Sequence, residues 1–88
     1  MKRKCRDLYI KAKSNPASLK FTELQKLCEC IEMELDRIKG SHHIYKRVHN
    51  PPFFLSIQKM HDGNAKAYQV RQLIDFIEEN SLDEDEKE

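Results

Sequence analysis

The strongest constraint in this chain is a change of hydrophobic period near its middle. Leu24, Leu27, Cys28 and Ile31 recur at helical spacing. From Met33 onward the pattern alternates instead: Met33, Leu35 and Arg37 interleave with Glu34, Asp36 and Ile38. Gly40-Ser41 reads as a tight turn. His42 to Val48 is rich in β-branched and aromatic types, and Phe53 to Gln58 repeats the alternation after His49-Asn50-Pro51-Pro52. Two prolines cannot sit inside a central strand, so that segment is a turn. Three short strands with short connections predict an antiparallel meander. In the third strand Phe53, Leu55 and Ile57 share one face, and Phe54, Ser56 and Gln58 the other.

Helices flank this core. Cys5, Leu8, Tyr9 and Ala12 place a short helix over about 2–13, ended by Ser14-Asn15-Pro16. A second helix is expected from about Thr22 to Glu32, with Thr22 and Gln25 in capping-box arrangement. The last helix covers about Lys66 to Asn80, with Ala67, Val70, Ile74 and Ile77 on its stripe. The predicted order is α-α-β-β-β-α, an α+β domain with helices on one sheet face. Leu27, Ile31, Leu55, Ile57, Val70 and Ile74 are its expected core. Residues 1–82 form a single domain in this reading, and 83–88 an acidic, disordered tail.

At 88 residues there is room for one small core. No apolar run reaches the length of a membrane span, and no signal-peptide pattern follows the basic start, so the expected compartment is the cytosol. Three cysteines are too few and too odd in number for a complete disulfide framework. Cys28 and Cys30 read as small apolar helix residues. The net charge of +1 conceals an asymmetry: residues 1–74 carry +8, and residues 75–88 carry −7. A basic body is suited to a polyanionic partner such as RNA.

His42, His43, His49 and His61 are the candidate proton-transfer groups. Adjacent strand residues point to opposite faces, so His42 and His43 cannot chelate one metal ion, and no metal site is expected. RNA cleavage suits them better. It needs a group that exchanges protons near neutral pH beside positive charge for the phosphate. Lys39, Lys46 and Arg47 lie within a few residues, and Tyr45 and Phe54 offer surface on which an unpaired base can stack. Alternation puts His42 with Ile44 and Lys46, and His43 with Tyr45 and Arg47. If Ile44 packs inward, the regular pattern exposes His43 rather than His42.

The stretch Lys39-Gly40-Ser41-His42-His43-Ile44-Tyr45-Lys46, between a helix and a further strand and helix, resembles the HicA (YcfA-like) toxins of type II toxin–antitoxin modules. Ala65 to Gln72 is similar to the start of the final helix in one subgroup. The resemblance spans about Phe21 to Asn80. It implies a double-stranded-RNA-binding-domain-like fold, a cytoplasmic mRNA ribonuclease needing no metal or other cofactor, and a HicB-like antitoxin as partner. It names His42 as catalytic. On the reading of the residues themselves, His43 is a possible assistant and Lys39, Ser41, Tyr45, Lys46 and Lys66 are the candidate RNA contacts. Many members carry Gly-Phe or Gly-Tyr where this chain has Glu32-Met33. The alternatives are a non-catalytic RNA-binding module of the same fold, or a protein-interaction domain that presents its basic face to an acidic partner.

Overall fold

A computed structural model describes residues 1–84. The order is α1 (Arg3–Ser14), a 3-10 turn (Pro16–Ser18), α2 (Phe21–Cys30), β1 (Glu34–Lys39), β2 (His42–Arg47), β3 (Phe53–Ile57) and α3 (Ala67–Glu79). The strands form one antiparallel meander, β1-β2-β3, as the alternation predicts. Tyr45 on β2 and Leu55 and Ile57 on β3 are buried beneath the helices, together with Leu24, Leu27, Val70, Leu73 and Ile77. All six expected core residues are buried. His42, Phe54 and Ser56 lie exposed on the opposite face. The helices therefore cover one side of the sheet, and the other side is open.

Helix α2 begins one residue earlier than expected, and its cap differs. Glu23, not Gln25, reaches back to accept the backbone N–H of Lys20 at 3.0 Å. Its far end is a Schellman motif. The Met33 N–H donates to the Cys28 carbonyl, and the Glu32 N–H to the Glu29 carbonyl. This places Glu32 at φ +65°, the left-handed region where glycine is favoured. The helix end thus adopts this glycine-type geometry with a glutamate. Met33 follows into the core, 2% exposed. The end of α3 repeats the device, with Ser81 at φ +54° and Leu82 donating to the Ile77 carbonyl.

Two long-range features were hidden in the sequence. Cys30 is not a plain apolar helix residue: it forms a disulfide with Cys5, 25 residues away, tying α1 to the end of α2. Cys28 is buried and unpaired, and burial pushes its thiol up to about 12. Arg47 is buried as well. Its guanidinium donates to the carbonyls of Ile31 (2.7 Å), Pro51 (2.8 Å) and His49 (3.3 Å), clamping the end of α2 to the β2–β3 turn. The first tail residues dock on the N-terminus. The Asp83 carbonyl accepts from Arg6 and the Glu84 carbonyl from the terminal amine. The rest of the tail expected to be disordered lies outside the described residues.

Candidate functional site

The site is built on the β1–β2 hairpin. Lys39 and His42 pair across it, and the two-residue turn between them has Gly40 at φ +61°. A tight hairpin turn of this length needs a positive φ, which glycine supplies without a Cβ clash. The register then sets what surrounds His42. β2 pairs with β3 so that Ile44 faces Ser56 and Lys46 faces Phe54. The Nδ1 atom of His42 is hydrogen-bonded to Ser56 Oγ at 3.1 Å. The direction of that bond depends on the imidazole tautomer. Because one ring nitrogen is engaged, Nε2 is the nitrogen left for a substrate.

A second network holds the hairpin turn against α3. Gln58 donates from Nε2 to Ser41 Oγ (3.0 Å), and its Oε1 accepts from Lys66 Nζ (3.0 Å). The Gln58 backbone N–H donates to Oε1 of Gln69, which is 3% exposed. Gln69 in turn donates from Nε2 to the Tyr68 hydroxyl at 3.2 Å. A buried amide thereby fixes the end of β3, and Gln58 carries Lys66 to the same turn that bears Ser41. Lys39, Ser41, His42 and Lys66 are thus gathered around the hairpin.

Two candidates are corrected by the structure. Tyr45 is 3% exposed on the helix side, where its hydroxyl accepts a hydrogen bond from Gln25 at 3.1 Å. Its ring offers no face to a base, and burial raises its hydroxyl above the ordinary phenol value. Tyr45 rather than Ile44 fills the core, which also answers which histidine is exposed. His43 shares the face of Tyr45 and packs edge-on against the Phe21 ring, with centroids 5.0 Å apart. It points away from His42 and cannot assist it directly. Lys46 is on the open face but is paired with Asp36 at 3.1 Å. Arg47 is used up in the clamp described above.

Beside His42 a groove of about 540 Å³ runs between β3 and α3. Phe54 (66% exposed) and Tyr68 (55% exposed) line it, with Gln72, Asp75 and Glu79 along the α3 side. Phe53 and Phe76 stack at 4.0 Å in its wall. On the other side of Gln58 a second cleft, about 710 Å³, is bordered by Lys59, His61 and Lys66. Sequence reading passed over Ser56, Gln58 and Lys59 as site members. Alternation did put Ser56 and Gln58 on the Phe54 face, but their pairing with His42 and Ser41 needs the strand register.

Among the described residues no group of three or more His, Cys, Asp or Glu side chains converges as a metal site. No described helix is long and apolar enough to cross a membrane. Compared with known proteins, the chain matches no family model, and neither the curated proteins nor the solved structures contain a match to it.

Proposed function

We propose that this chain is a HicA-like ribonuclease that cleaves mRNA, with His42 as its proton-transfer group. The carrying observation is the placement of His42. It is an exposed imidazole on the open sheet face, hydrogen-bonded through Nδ1 to Ser56 and opposite Lys39. In the base form, Nδ1–H donates to Ser56 and Nε2 accepts the proton of a ribose 2′-hydroxyl. The 2′-oxygen attacks the adjacent phosphorus, the bond to the 5′-oxygen breaks, and that oxygen takes a proton from solvent. Lys39 and Lys66 stand where phosphate charge is to be met, and Ser41 is held beside them. The mechanism draws on no metal ion. The fold would be of the double-stranded-RNA-binding-domain type, the compartment the cytosol, and a HicB-like antitoxin would inhibit by covering His42 and its lysines.

Cleavage of labelled mRNA in EDTA tests this reading. The parent should cut. His42→Ala should lose at least 100-fold, the low end for removal of a general acid–base group, with its fold unchanged because the side chain is exposed. Full activity in folded His42→Ala refutes the assignment. A second reading, RNA binding without cleavage, is favoured by one feature: the hydrogen-bond partner of His42 is a hydroxyl and not a second acid or base. RNA retention without cleavage selects it.

A further inference from the structure

The groove between β3 and α3 has the wrong charge for a phosphate and the right surfaces for a base. Tyr68, Gln72, Asp75 and Glu79 recur every three or four residues, so they form one face of α3 along the groove. No lysine or arginine is among the groove's lining residues: Lys46, opposite Phe54 on the open face, is paired with Asp36, and Lys39, Lys59 and Lys66 lie around the hairpin turn and Gln58. A strand of RNA laid over the open face would meet lysine on the hairpin side of His42 and carboxylate on the α3 side. Phosphate is repelled from the second side. An unpaired base is not, because Phe54 and Tyr68 offer it exposed aromatic surface.

We infer that this groove is a base subsite beside His42 and that it selects guanine. The inference rests on the ribonuclease reading and names the nucleotide at that site. The chemistry is in the acceptors. A carboxylate offers two acceptor oxygens side by side and no donor. Guanine alone among the four bases presents two adjacent donors, N1–H and the N2 amino group, on its pairing edge. Adenine and cytosine place a ring-nitrogen acceptor beside their amino group, and uracil flanks its single N–H with two carbonyls. Asp75 facing any of those three leaves one oxygen against a lone pair. Gln72, three residues before Asp75 on the same helix face, has an amide N–H for the guanine O6. A site that hydrogen-bonds a particular edge disfavours ligands lacking it, because its polar groups are then left unpaired.

The test uses 5′-mononucleotides and the intact protein. They have no internucleotide bond to cut, so the result is independent of catalysis. Titration is followed by two-dimensional NMR. 5′-GMP should shift the Phe54, Tyr68 and Asp75 signals and bind at least tenfold tighter than 5′-AMP, 5′-CMP or 5′-UMP. Asp75→Ala should remove that preference while Lys39→Gln keeps it. Equal affinity for the four nucleotides, or shifts confined to Lys59, His61 and Lys66, overturns the inference. So does a concentration-dependent shift of the groove signals in protein alone, which would make the groove a self-association surface. None of these outcomes bears on the ribonuclease reading, which stands or falls on mRNA cleavage by the parent and by His42→Ala.

Discussion

The crosslink between Cys5 and Cys30 should dominate the stability of this small domain. It closes a loop of 25 residues, with its Cα atoms 5.7 Å apart. The chain-entropy model assigns about 3.5 kcal/mol at 25 °C to a loop of that size, acting mainly by restricting the unfolded chain. For a domain of this length each kcal/mol moves the thermal midpoint by about 4–8 °C, so removal should lower it by about 14–28 °C. The folded state should survive the loss. α1 still buries Tyr9 and Ala12, and the Tyr9 hydroxyl still donates to Glu78 at 2.5 Å. The assay compares thermal unfolding of the parent with Cys5→Ser, Cys30→Ser and the double variant. Either single change abolishes the bridge, so all three should fall together and not additively. Alkylation of unfolded, unreduced parent should consume one thiol, that of Cys28, and reduction should raise the number to three. Parent and double-variant curves that superimpose, with one thiol counted in the parent, would refute the argument. The same thiol count on protein trapped from cells tests the cytosolic expectation, because disulfides persist mainly in oxidising compartments.

Three further outcomes are expected. Glu32→Gly should raise stability by about 0.5–1 kcal/mol, since glycine relieves the left-handed conformation at φ +65° and the exposed Glu32–His49 pair that is lost contributes little; a lower urea midpoint contradicts this. Glu23 is held below the ordinary carboxylate value of 4.5 by Lys11, and next by the Lys20 N–H. Its contribution is therefore complete above that value and fades as pH falls through the depressed one, so the stability gap between parent and Glu23→Gln should close in acid. RNA binding by Lys39→Gln or Lys66→Gln should show a logarithmic salt slope flatter by about 0.7. Lys46→Gln should change it less, because Asp36 already neutralises that lysine; equal changes for all three would place Lys46 in the RNA path.

On the proposed reading, an inhibitor's binding surface would follow from the same geography. A partner that blocks RNA must cover the hairpin and the open face, where His42 and Lys39 lie. Charge complementarity would speed its encounter and make that encounter sensitive to salt. Hydrogen-exchange protection spread over residues 39–46 and 53–58 is the footprint expected of a HicB-like antitoxin. Protection restricted to α1 would exclude direct occlusion.

Local pattern by itself determined the elements and most of the core. A period of 3.6 or 2 is written in neighbouring residues, so the α-α-β-β-β-α order, the turns at Gly40 and Pro51, and the burial of Leu55, Ile57 and Val70 could be read directly. Alternation also paired His42 with the face of Ile44 and Lys46. What it left open was which face the helices cover, because Ile44 and Tyr45 are both plausible core residues. That choice depends on how the helix layer packs on the sheet: Tyr45 fits between α2 and β3 with Gln25 meeting its hydroxyl, and His42 is thereby turned outward. Pairings between distant segments were equally beyond local pattern. Ser56 reaches His42 from 14 residues away, Gln58 bridges Ser41 and Lys66, and Cys30 finds Cys5. Each needs the strand register or helix docking to bring together residues whose sequence spacing carries no period. The two adjacent histidines were legible in the chain, whereas which of them is exposed, what hydrogen-bonds to it and the groove beside it were decided by tertiary packing.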